Sequence, residues 1–134
     1  RLVGDVEGKT VLLVDDEILT GSTSFKDSDS IYEGGALQVG ACAIHPILED
    51  KRVYQEAGSR EQGIPALMER FEKSRISSFL VGNTVPITKK LPHSTKFSIV
   101  RMEKFIAESI ARIFLGQSLT ELHRPESVAL YRID

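Results

Sequence analysis

Two acids, Asp15 and Asp16, stand just ahead of a hydroxyl-rich run, Thr20-Gly21-Ser22-Thr23, in a chain of 134 residues. The run offers consecutive backbone N–H groups and three hydroxyls. At the start of a helix those donors meet the positive end of the helix dipole, where a phosphate is stabilised. Gly21 lets the backbone approach a ligand where a Cβ would block it. Asp15 and Asp16 can accept hydrogen bonds from vicinal sugar hydroxyls, or hold a Mg²⁺ that bridges sugar and diphosphate. Phosphate donors beside hydroxyl acceptors describe a site for a phosphorylated sugar. The alternative is that these residues only cap a strand end and a helix start.

The elements needed to position this run are legible around it. Residues 10–14 are apolar and rich in β-branched types, which predicts a parallel strand buried on both faces. The polar loop 15–23 follows, then a weak helical pattern over 24–33 closed by Gly34-Gly35. Residues 36–44 read as a second buried strand ending at His45-Pro46, completing a right-handed βαβ unit. Ligands of open α/β sheets sit at such carboxyl-terminal strand ends. The charged stretch 49–63 reads as a long surface loop or insertion. Leu67, Met68 and Phe71 predict a helix over 65–73, with Pro65 in its first turn. Residues 79–82 and 97–100 are further strands. Phe105, Ile106, Ile110, Ile113 and Phe114 give a helix over 102–115 an apolar face, and Gly116 ends it. In the tail, Val128 to Tyr131 is read as packing on a partner or adding an edge strand. The alternation predicts an α/β fold with an open, mainly parallel sheet flanked by helices.

Other polar residues carry weaker signals. His45 falls on the same sheet edge as the loop and could line a ligand crevice or simply sit in a turn. Asn83 and Thr84 could donate to a ligand at the third strand end or cap that turn. Lys89 and Lys90 read as a solvated face, His93 and His123 as solvated side chains, and Cys42 as a buried inert thiol. Three histidines and one cysteine are too dispersed for a zinc site. Net charge is -2 with scattered Lys and Arg, which excludes the basic face of a nucleic-acid binder. No apolar run reaches membrane-spanning length, and a single cysteine suits a reducing cytoplasm.

The segment from Val11 to Thr23 resembles the motif that binds phosphoribosyl diphosphate (PRPP) in type I phosphoribosyltransferases and PRPP synthetases. Further segments resemble the synthetase family specifically. They include Gly4 to Lys9 ahead of the motif strand, Gly34-Gly35-Ala36 with Ala41 to Leu48, and the turn Asn83-Thr84-Val85-Pro86. Ile106 to Ile113, with Gly116-Gln117-Ser118 and Leu122, is similar to the family's final helix and ending. The resemblance implies a type I phosphoribosyltransferase-like fold, incomplete at the amino terminus. Residues 1–134 would be the carboxyl-terminal domain of a PRPP synthetase whose amino-terminal domain is absent.

The family transfers the β,γ-diphosphate of Mg-ATP to the C1 hydroxyl of ribose 5-phosphate, giving PRPP and AMP. By resemblance, Thr20, Gly21, Ser22 and Thr23 would bind the 5-phosphate, and Asp15 and Asp16 would meet the ribose hydroxyls and Mg²⁺. Partners implied are ribose 5-phosphate, ATP, AMP, PRPP and further copies of the chain. The missing half would carry the ATP pocket and flexible catalytic loop, so this chain alone is expected to be inactive. Leu19 stands where many family members have an acid, and the 50–75 segment is longer than the family pattern. These departures fit a second expectation, a non-catalytic homologue that associates with active synthetase. A nucleobase phosphoribosyltransferase agrees with the motif alone.

Overall fold

A computed structural model describes residues 3–124 and 132–133. Strands β1 (Thr10–Ile18), β2 (Gln38–Pro46), β3 (Phe79–Gly82) and β4 (Phe97–Arg101) form a parallel sheet in that sequential order. A short fifth strand, β5 (Arg132–Ile133), pairs antiparallel with β4 at the far edge. Four helices accompany them: α1 (Ser22–Glu33), α2 (Lys51–Glu56), α3 (Arg60–Lys73) and α4 (Glu103–Phe114). The predicted open α/β sheet is therefore present. Residues 125–131, and with them Val128 to Tyr131, lie outside the described residues.

Strand order decides where the core lies. Right-handed crossovers between parallel strands laid down in sequential order place every connection on the same face. That face carries Leu13, Ala41, Ala43, Phe79, Val81, Phe97 and Ile99, and packs on Phe25 of α1 and Leu67, Met68 and Phe71 of α3. Phe71 is its centre: its ring lies 5.0 Å from Phe25, 5.4 Å from Phe79 and 5.6 Å from Phe97, each edge-on. Such edge-to-face pairs add about 0.5–1.5 kcal/mol each beyond area burial.

The opposite face corrects the expectation of strands buried on both sides. Leu12 is 57% exposed and Val14 76%. Val14, Cys42, Ile44, Leu80, Gly82 and Val100 line an open apolar depression of about 210 Å³ there. Cys42 is accordingly half-exposed rather than buried. Helix α4 does not cover this face with a buried stripe, since none of its residues is buried and Phe114 is 89% exposed.

The stretch 49–63 read as a surface loop instead holds α2 and the start of α3, which begins ahead of the predicted helix. Asp50 caps α2 by accepting from the Arg52 N–H at 3.0 Å, and Ser59 caps α3 by accepting from the Gln62 N–H at 3.2 Å. Pro65 sits inside α3 rather than in its first turn. Its ring is on the exposed side, so the Glu61 carbonyl left without an intrahelical donor can turn to water.

Candidate functional site

The two acids lie not in a loop but within β1, which continues to Ile18 because its ladder with β2 persists through Glu17–His45 and Ile18–Pro46. Only one side of β1 is paired among the described strands, and Asp15, Asp16 and Glu17 are all exposed on this edge strand. Strand alternation sends the side chains of Asp15 and Asp16 to opposite sides of the pleat. Each carboxylate accepts the next residue's backbone N–H at 2.9 Å, which leaves its other oxygen to solvent.

After Ile18 the chain turns through Leu19 to Gly21 and enters α1 at Ser22, two residues earlier than the pattern predicts. The helix start has neither a side-chain cap on Gly21 nor an acid in the first turn. Apart from the Ser22 N–H, which Thr20 takes, the helix start and its dipole remain open to an anion. Inside the loop the Thr20 hydroxyl donates to Ser22 Oγ at 2.9 Å, and the Ser22 N–H donates to Thr20 Oγ1 at 3.3 Å. Residues from Asp15 to Ser24 enclose a cavity of about 320 Å³, the size of a small-molecule site.

Gly21 is required, but chiefly from the inside. It is buried in the left-handed region at φ 75°, and a Cβ there would stand 2.4 Å from Phe25 Cζ and 2.7 Å from Phe71 Cε1. The loop thus rests directly on the aromatic centre of the core.

Its outer flank is held by the segment after β2. Leu48 and Glu49 donate their N–H groups to the carbonyls of Ile18 and Leu19 at 3.0 and 2.9 Å. Asp50, only 5% exposed, takes a 2.7 Å hydrogen bond from Arg70 Nη1, which holds its carboxyl below the usual range against the opposing effect of burial. The other arm of that guanidinium, Nη2, reaches Ser22 Oγ at 3.3 Å. Sequence reasoning missed both Asp50 and Arg70, and helical spacing from the apolar Leu67 and Phe71 was the available signal for the side Arg70 occupies.

The remaining candidates serve neighbouring turns. His45 Nδ1 lies 2.8 Å from Thr84 Oγ1, and the Thr84 hydroxyl donates to the Ile44 carbonyl at 2.8 Å. With the hydroxyl proton committed to Ile44, His45 Nδ1 is the donor to Thr84. Asn83 accepts the Met102 N–H at 2.9 Å and donates to Glu103 at 2.6 Å, which fastens the start of α4. Lys90 is not part of a solvated face: it is 3% exposed, and its ammonium donates to the Ile47 carbonyl at 2.7 Å and to Glu49 at 3.0 Å. Glu49 also receives Arg60. Lys89 and His93 are exposed as expected, while the side chain of His123 lies outside the described residues.

Among the described residues no three His, Cys, Asp or Glu side chains gather to hold a metal ion. Likewise, no described helix is long and apolar enough to cross a membrane. Asp15 and Asp16 are exposed oxygen donors of the type Mg²⁺ takes, but they stand on opposite sides of the pleat, so each side offers the ion a single carboxylate of this pair.

Comparison with known proteins agrees with this fold. The chain is 31% identical over 122 residues to the ribose-phosphate pyrophosphokinase of Oceanobacillus iheyensis, covering 91% of this chain and 33% of that protein. It is 33% identical over 124 residues to the enzyme of the same name from Bacillus caldolyticus, covering 91% of this chain and 34% of the relative. The crystal structure of phosphoribosylpyrophosphate synthetase from Mycobacterium smegmatis superposes with a TM-score of 0.68 at 28% identity, covering 87% of this chain and 34% of that one. This chain therefore spans about a third of the length of these relatives. The sequence pattern of the phosphoribosyl synthetase-associated domain matches residues 1–124, and the chain belongs to that family.

Proposed function

We propose that this chain is the ribose 5-phosphate-binding, carboxyl-terminal part of a ribose-phosphate diphosphokinase, which makes PRPP and AMP from ATP and ribose 5-phosphate. The observation that carries the reading is the uncapped start of α1 beside the cavity of about 320 Å³ lined from Asp15 to Ser24. Thr20 to Thr23 supply backbone and hydroxyl donors for the 5-phosphate. Asp15 and Asp16 accept from ribose hydroxyls or hold Mg²⁺, which when bound would neutralise charge on the diphosphate. The work of these residues is positioning and charge neutralisation, as in phosphoryl transfer generally.

The chain spans about a third of its relatives' length, and on this reading it is catalytically silent alone because the ATP pocket and the flexible catalytic loop belong to the rest of the family's chain. A cytoplasmic setting is part of this reading and is supported by the single cysteine, Cys42, which suits a reducing compartment. Homo-oligomer formation is supported by the apolar faces left open on the sheet and on α4.

A second reading, a non-catalytic associate of active synthetase, is favoured by Leu19. Its side chain is exposed beside the cavity and offers no hydrogen bond to a sugar or metal. Calorimetric titration of ribose 5-phosphate with Mg²⁺ into this chain and a Thr23→Val variant tests the primary reading. Saturable binding that weakens in the variant supports it, whereas no binding by the parent chain rejects a working half-site. Release of AMP from ATP and ribose 5-phosphate by this chain alone would overturn its silence.

A further inference from the structure

The geometry points to Arg70 as a positioning residue that commits the Ser22 hydroxyl to donate toward the ligand phosphate. This rests on the proposed ribose 5-phosphate site. The cavity lined from Asp15 to Ser24 contains three carboxylates, those of Asp15, Asp16 and Glu17, and no basic side chain. A phosphate entering it meets repulsion that the backbone donors must overcome. Arg70 is the guanidinium in contact with this loop from outside, through Nη2 at 3.3 Å from Ser22 Oγ.

The direction of each hydrogen bond gives Arg70 its effect. Ser22 Oγ accepts from the Thr20 hydroxyl at 2.9 Å and from Arg70 at 3.3 Å. A hydroxyl has two acceptor lone pairs and one proton. With both lone pairs occupied, the Ser22 proton has only a donor's role left, and an anionic oxygen in the cavity is its natural acceptor. Chains of hydrogen bonds headed by a cation also strengthen their terminal donor.

Arg70 is itself aimed by Asp50, which is 5% exposed and takes Nη1 at 2.7 Å while capping α2 through the Arg52 N–H. One planar fork thus joins a buried carboxylate to the loop hydroxyl. A lysine could satisfy Asp50 as a point charge but lacks the rigid second arm.

The test is a double-mutant cycle on ribose 5-phosphate affinity, with neutral ribose as a second probe and thermal melts to check folding. Arg70→Lys keeps the ion pair with Asp50 and is expected to weaken ribose 5-phosphate binding about tenfold, the scale of one hydrogen bond to a charged group. Ser22→Ala should weaken it comparably. The double variant should bind no worse than Ser22→Ala alone, because both changes act through one hydroxyl. Neutral ribose should respond to none of them.

Asp50→Asn provides the arm that does not depend on Arg70→Lys folding. Its amide has one accepting oxygen for the two donors that Asp50 now takes, Arg70 Nη1 and the Arg52 N–H, so the fork loses its aim and ribose 5-phosphate binding should weaken in the same direction as in Arg70→Lys. Wild-type affinity in folded Arg70→Lys, multiplicative losses in the cycle, or parental affinity in folded Asp50→Asn would each overturn the assignment while leaving the ribose 5-phosphate site standing. Failure of the parent chain to bind ribose 5-phosphate would overturn both.

Discussion

Replacing Gly21 by alanine tests whether the glycine of the phosphate loop serves the ligand or the fold. The backbone there has φ 75°, and an alanine Cβ would meet Phe25 at 2.4 Å and Phe71 at 2.7 Å. Holding an L-residue in the left-handed region costs about 1–2 kcal/mol. Phe71 is fully buried among Phe25, Phe79 and Phe97, so it cannot swing clear without disturbing three ring contacts. Overpacking of that kind costs about 1–3 kcal/mol more.

Gly116 supplies the control. It also has positive φ, 66°, but nothing stands within 4 Å of its would-be Cβ. Gly116→Ala should therefore lose only the conformational part, about 1–2 kcal/mol, and Gly21→Ala about 2–5 kcal/mol in all. Urea denaturation with a common m-value reads the difference. Near-parental stability of Gly21→Ala, accompanied by lost ribose 5-phosphate binding, would refute the argument and return the glycine to a ligand-side role.

Asp50 links the site to pH. Its folded pKa lies below the unfolded value of about 3.9, so the carboxylate's stabilisation is complete above that value and disappears as pH falls through the folded pKa. Asp50→Asn should cost about 1–2 kcal/mol at neutral pH, discounted for the 37% exposure of the Arg70 side chain. Urea midpoints measured from pH 6 to pH 2 should then converge with those of the parent below about pH 4, and a constant gap would remove Asp50 from the acid limb. The open face of α4 makes a separate prediction. Ile110→Asp with Phe114→Ser should shift the chain toward monomer in sedimentation velocity, since the two residues are 62% and 89% exposed; an unchanged monomer in both proteins would mean this face does not self-associate.

The sheet and α4 were legible from strong apolar runs and periodicity, α1 from a weak pattern closed by Gly34-Gly35, and the motif residues were placed at the carboxyl end of the first strand. What failed did so for identifiable reasons. Asp15 to Glu17 look like a loop because they are charged, yet a strand with one unpaired side tolerates charge and its hydrogen bonds continue to Ile18. Residues 51–56 and the first turn of α3 look like a loop because Gly58 and Gly63 interrupt the helical pattern and Pro65 reads as a helix start. The Ser59-x-x-Gln62 capping signature was present in the sequence and marks where α3 begins. Gly63 is tolerated there because it packs against Tyr54, where a Cβ would come within 2.6 Å of the ring. Lys90 could not be recognised as buried from its neighbours in sequence, since its partners, the Ile47 carbonyl and Glu49, arrive from the end of another strand.

The largest disagreement concerns the strands themselves, and it carries the most information. Val11 to Val14 and Ala41 to Ile44 read as runs buried on both faces, yet sequential strand order puts α1, α2 and α3 on one face and leaves Val14, Cys42, Ile44 and Leu80 around an open depression. The residue types thus match a covered surface that the described helices do not provide. Asp15 lies on the boundary between this depression and the phosphate loop, because it lines both cavities. Whatever covers the apolar face would therefore also close one side of the sugar site and lower the dielectric around Asp15. On the proposed ribose 5-phosphate reading, phosphate capture depends on the loop that Phe71 supports from within and Arg70 from without. Tight sugar binding depends on the cover, so ribose 5-phosphate should bind a self-associated form of the chain more strongly than the monomer.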